Sequence, residues 1–150
     1  MSEFRINIEQ NSKTTWTFVF ESDNRSVRVW ASDFMDPIGL LFYDLRMILK
    51  HGQTRGIVSM IDEPEENIWV LNKSNDVIEI DVLNFKDYSG NNRDLTKGIK
   101  IFSGKMKFNR FLNQLINSLN PYKKETKISE LINELVELRK KQPTTPPKLH

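Results

Sequence analysis

Three consecutive runs of alternating polarity open this chain and constrain its fold more than any other feature. Phe4, Ile6 and Ile8 alternate with Arg5, Asn7 and Glu9. Trp16, Phe18 and Phe20 alternate with Thr15, Thr17, Val19 and Glu21, and Val27, Val29 and Ala31 with Arg28, Trp30 and Ser32. A period of two sends successive side chains to opposite faces, so each run reads as a strand with one buried face. The separators Asn11-Ser12-Lys13 and Asp23-Asn24-Arg25 are short, polar and tolerant of left-handed backbone. The expected unit is an antiparallel β-meander.

A helix follows over residues 37–51. Asp36 is its N-cap and Pro37 stands at the first helical position, where no N–H is missed. Ile38, Leu41, Phe42, Leu45, Ile48 and Leu49 form one apolar stripe, and Gly52 supplies the left-handed stop. Three further strands are expected at 56–62, 67–73 and 76–85. Pro64 demands a loop between the first two, and Lys73-Ser74-Asn75-Asp76 a hairpin turn between the last two. Residues 86–98 read as a surface loop and Ile99 to Phe102 as a short edge strand. Phe108, Phe111, Leu112, Leu115, Ile116 and Leu119 mark a second helix, limited by Pro121. Ile128, Leu131, Ile132, Leu135 and Leu138 mark a third, over 128–140. The expected class is therefore α+β. An antiparallel sheet of about six strands is packed on one face by helices, two of them C-terminal. Residues 1–122 form the domain and 123–142 an amphipathic helix, packed on the domain or at a dimer seam. Residues 143–150, with Pro143, Pro146 and Pro147, form a disordered tail.

Residue types narrow the chemistry. There is no cysteine, which excludes disulfides, thiolate zinc sites and cysteine nucleophiles. The two histidines, His51 and His150, are far apart, so neither a triad nor a multi-histidine metal site is expected. No metal or other cofactor is anticipated. Residues 123–150 carry seven basic and four acidic side chains, leaving 15 basic against 16 acidic over 1–122. A dedicated nucleic-acid binder shows a basic stripe on its folded part, and none is visible. The longest apolar run, Ile38 to Tyr43, is too short to cross a bilayer, and the first ten residues lack a signal-peptide pattern. The expectation is a cytoplasmic protein that meets neither membrane nor nucleic acid directly.

Catalytic motifs fail on inspection. Ser103-Gly104-Lys105 has the look of a phosphate loop, but Met106 follows Lys105 and Ile99 stands where the earlier glycine is needed. Asp62-Glu63-Pro64-Glu65-Glu66 lacks the ligand spacing of a calcium loop and reads as a solvated turn or a protein contact. Asp33 and Asp36 bracket Phe34-Met35; Asp36 is accounted for by capping and Asp33 by a polar turn, although a carboxylate-based site with the 62–66 acids is conceivable. His51 suits the negative end of the helix dipole. The outward sheet face is different. If Phe18, Val29 and Ile80 face the helices, then Glu9, Thr17, Glu21, Arg28, Trp30, Glu79 and Asp81 share the other side. A tryptophan among charges is a plausible protein anchor. The expected contact set is Trp30, Arg28, Glu79 and Asp81, with Glu63, Glu65 and Glu66 of the acidic turn.

This layout, a meander, an Asp-Pro-capped helix, the acidic step at 62–66, then Ile68-Trp69-Val70-Leu71 and an apolar hairpin, resembles small bacterial immunity-type proteins of contact-dependent and polymorphic toxin systems. The resemblance spans residues 14–120. It implies a non-enzymatic protein that binds a cognate toxin domain tightly and covers its active site or substrate path. It implies no particular site residues. Inhibitors of nucleases are often clearly acidic, and the near-neutral body departs from that pattern, so the toxin's chemistry is not implied. The alternative is a structural or regulatory homodimer assembled through helix 128–140.

Overall fold

The computed structural model describes residues 3–87 and 94–141. The disordered tail expected at 143–150 lies outside the described residues, as does much of the loop expected at 86–98.

The meander forms as its alternation requires. Strands β1 (Arg5–Ser12), β2 (Thr15–Ser22) and β3 (Arg25–Ser32) make a three-stranded antiparallel sheet in sequence order. A short 3-10 turn, Asp33–Met35, leads into α1 (Pro37–His51). Strands β4 (Arg55–Asp62), β5 (Glu65–Ser74), β6 (Val77–Phe85) and β7 (Ile99–Lys107) make a second, four-stranded antiparallel sheet. Helices α2 (Phe108–Leu119) and α3 (Thr126–Lys140) close the described chain. The class is α+β, with seven strands divided between two sheets. Among the described residues no helix is long and apolar enough to cross a membrane.

One core joins all these elements. Phe18 and Phe20 from the first sheet meet the Trp69 ring of the second edge-on, with centroids 4.9 Å apart in each pair. Phe4 meets Phe102 in the same way at 5.2 Å. The stripes of α1 (Leu41, Phe42, Leu45) and α2 (Phe111, Leu112, Leu115) are buried in the same cluster. So are Ile128, Ile132 and Leu135 of α3. Ion pairs from α3 to α1, Arg46–Glu134 and Lys127–Asp36, fasten the helix there.

Edge strand β1 is covered rather than left free. The Ile6 N–H donates to Gln114 Oε1 at 2.7 Å and the Gln10 N–H to the Tyr122 hydroxyl at 2.9 Å. Occupying edge donors in this way blocks unwanted strand pairing.

β7 is longer than the short strand expected. Its inward positions are Phe102, Gly104 and Met106, and glycine in the middle hides the alternation. That glycine is there for close approach: a Cβ on residue 104 would stand 2.6 Å from the Phe4 ring. Ser103-Gly104-Lys105 is therefore strand packed beneath an aromatic ring, with no loop to hold phosphate.

The N-terminus of α1 is built as its residues dictate. Asp36 Oδ1 accepts the Gly39 N–H, and Asp36 itself sits at φ 52°, the left-handed region. Asp36→Ala loses the cap and also the short polar side chain that lets aspartate tolerate the left-handed region, at an expected cost of about 2 kcal/mol. Asp36→Gly, which relieves the backbone, should cost less than half as much. Urea denaturation of the two variants checks this ordering.

Candidate partner-binding surface

Alternation that buries one face of each sheet dictates what the other face presents. On the first sheet, cross-strand register places Glu9, Thr17 and Trp30 in one row and Asn7, Val19 and Arg28 in the next. The central residues Thr17 and Val19 are buried, at 0% and 2% exposure, although they point outward. Long side chains on the flanking strands roof them over. Arg28 reaches diagonally across to Glu9 at 3.7 Å. The Thr17 hydroxyl is buried with no hydrogen-bond partner among the described residues. Trp30 stands at the margin of this roof with 43% of its surface exposed. A large aromatic held half in and half out of a charged, ordered surface can enter a partner's pocket with little loss of side-chain freedom.

On the second sheet the outer rows are Arg55–Asn72–Glu79–Lys105 and Ile57–Val70–Asp81–Ser103. Glu79 is exposed, opposite Lys105. Asp81 is engaged internally: it accepts from the Ser103 hydroxyl at 2.6 Å and faces Lys100 at 3.6 Å. The next rows are roofed. Ile68, Val70, Leu83 and Phe85 form a second small apolar cluster with Leu95 from the 3-10 turn Leu95–Lys97. Asp94 caps that turn by accepting from the N–H and hydroxyl of Thr96, bonds that hold its carboxyl below the usual range.

The face expected to carry Trp30, Arg28, Glu79 and Asp81 together is consequently divided. Trp30 and Arg28 belong to the first sheet, Glu79 and Asp81 to the second. A period of two identifies the face of a strand and is silent on which sheet the strand joins. β3 lies near β4. Trp30 on β3 and Ile57 on β4, 47% exposed, are the large apolar side chains left open on those strands.

The acidic turn separates into three situations. Glu63 is exposed at the tip of the β4–β5 hairpin. Glu65 pairs with Lys86 at 3.3 Å. Glu66 is 3% exposed and accepts from the Ser59 hydroxyl at 2.5 Å, so its carboxylate is withdrawn from any first encounter. Asp33 is also engaged, accepting the Trp16 indole N–H at 3.0 Å. His51 is exposed at the C-terminus of α1, as its dipole role requires.

A shallow, open cleft of about 390 Å³ runs between the outer side of β1 and α2. It is lined by Arg5, Asn7, Glu21, Gln114 and Asn117 among others, and by neither Asp33 nor the 62–66 acids. Its acid and base, Glu21 and Arg5, pair with each other at 3.5 Å. Among the described residues no three His, Asp or Glu side chains are grouped to hold a metal ion.

Among the described residues, Asp44 has the one strongly raised carboxyl. It lies on α1 against Gly56 of β4, where an added β-carbon would come within 3.2 Å of Asp44 Cβ. Burial pushes its pKa from 3.8 up to about 6. The folded chain therefore holds a proton that the unfolded chain releases between these values, and stability falls as pH rises through that window. Asp44→Asn is expected to raise stability at pH 8 by about 1 kcal/mol, screening of this partly exposed group allowed for. The advantage should vanish below pH 3.8. Denaturant midpoints at the two extremes measure it.

Sequence reasoning missed Phe34, Ile57 and Tyr43, exposed by 90%, 47% and 55%. Phe34 lies between two acids in a turn, a setting in which the carboxylates draw notice first.

The geometry defines an α+β two-sheet protein whose ordered outer surface, rather than an enclosed cavity, carries its exposed aromatic groups. No protein-family model matches the chain, and no curated protein sequence matches it. Among solved structures it is similar to a chain of the CdiA-CT/CdiI toxin and immunity complex from Enterobacter cloacae. The identity is 10%, covering 91% of this chain and 99% of that one, with a TM-score of 0.44.

Proposed function

We propose that this chain is a non-enzymatic binding protein of the immunity type, which neutralises a cognate toxin domain by covering it. The observation that carries the reading is Trp30, held 43% exposed on a rigid, charge-rimmed sheet face. Arg28 beside it, and exposed Ile57 on neighbouring β4, would extend the contact. Glu79 and Glu63 supply exposed carboxylates for orientation and fast association. Glu65 and Asp81 contribute through the ion pairs that order their surroundings, and Glu66 holds the hairpin from beneath. The order of elements over 14–120 and the acidic step before the Trp69 strand agree with this class.

The partner in this reading is a cognate toxin domain, to be sought first among the products of genes neighbouring this chain's own. Co-expression of the two should yield a stoichiometric complex that survives gel filtration. Elution as two separate folded species would overturn the reading.

A further inference from the structure

We propose that the end of the molecule around Phe34 is a second contact anchor, whose occupant is a socket on the partner protein that is apolar inside and rimmed by carboxylates. The proposal deepens the function proposed above and rests on it.

Phe34 is 90% exposed, the least covered large apolar side chain described, yet its backbone is tightly held. Its N–H donates to the Ser32 hydroxyl at 3.3 Å. The Asp33 N–H donates to the Thr14 carbonyl at 2.8 Å, and the Asp36 N–H to the Asp33 carbonyl at 2.9 Å. The Asp33 carboxylate accepts the Trp16 indole N–H. A phenyl ring displayed on so constrained a turn has little backbone freedom left to lose on docking. Exposed freely, it is a standing loss of burial that only a partner recovers.

The chemistry of the rim follows from three segments that meet at Trp16. The β1–β2 turn reaches Asp33 through Thr14. The 3-10 turn Asn120–Tyr122 packs its tyrosine ring on Trp16, edge-on with centroids 5.3 Å apart. Lys127, at the start of α3, is ion-paired to Asp36. These segments bring Lys13, Lys123 and Lys124 to the same end, all exposed and none in an ion pair among the described residues. Asp33 and Glu125 offset part of this charge, leaving a small basic excess at the end of the molecule that carries Phe34. An apolar socket with acidic edges is its complement.

The probe is the toxin domain that forms a complex with this chain on co-expression, with affinity and rate constants measured by surface plasmon resonance at two salt concentrations. Phe34 touches no core group, so Phe34→Ala should melt as the parent does, and should bind about 30-fold more weakly. Lys123→Glu with Lys124→Glu should slow association about tenfold at low salt and flatten its salt dependence. Parental binding by both variants while Trp30→Ala fails would overturn this anchor and leave the immunity reading standing. No binding by the parent chain would overturn both. Phe34-dependent retention of a single-stranded DNA oligonucleotide would assign this end to nucleic acid instead, and overturn the protein socket.

Discussion

Trp69→Ala is expected to destabilise the fold by about 4 kcal/mol, a large share of the 5–15 kcal/mol that holds a typical domain. The indole is fully buried. It belongs to the second sheet, and its two edge-on partners, Phe18 and Phe20, belong to the first. Its removal opens a void at the junction of the sheets, where no nearby loop can collapse to fill it. The indole N–H is also buried without a hydrogen-bond partner among the described residues, a group that stabilises nothing by being polar. Trp69→Phe keeps an aromatic ring between the sheets and discards that N–H. Its expected cost is under about 1.5 kcal/mol. Urea denaturation followed by circular dichroism separates the two variants. Equal losses would mean that the indole itself, and not simply an aromatic ring between the sheets, holds the junction.

Trp30→Ala should act in the opposite place. Its expected effect on folding is below about 1 kcal/mol, since the ring is only half covered and lies outside the core. Its effect on the toxin partner should be at least about 30-fold in affinity, carried chiefly by faster dissociation. Arg28→Ala should likewise spare the fold. The Arg28–Glu9 pair is exposed on both sides, at 53% and 42%, and such a pair contributes no more than about 1 kcal/mol to stability. A Trp30 variant that binds as tightly as the parent would remove the observation on which the functional reading stands.

How far the fold can be read from residues depends on which physical signal each element carries. α1 is legible end to end because Asp36, Pro37 and Gly52 each act locally through capping, a missing donor and a left-handed stop. The meander is legible because its period of two has one buried face. The division of seven strands into two sheets is not legible, since pairing across the chain leaves no trace in local pattern. β7 is obscured because Gly104 makes room for Phe4, about a hundred residues away. The outward faces are only half legible. Thr17 and Val19 alternate as surface residues and are buried under their neighbours. Ile68, Val70, Leu83 and Phe85 are roofed by Leu95, so β5 is buried on both faces. Of the candidate surface, Trp30 and Arg28 stand on one sheet face as their alternation implies, whereas Glu66 is drawn inward by Ser59. Phe34 escapes notice because exposure is a property of the folded surface, and a lone aromatic in a turn has no periodic partner to reveal its direction.

Inhibition of the cognate toxin domain by the intact chain, titrated against the domain's own activity, tests the central claim most directly. The account predicts complete loss of that activity at one equivalent, with a Kd of about 10 nM or tighter. Full activity in the presence of excess folded chain would contradict it.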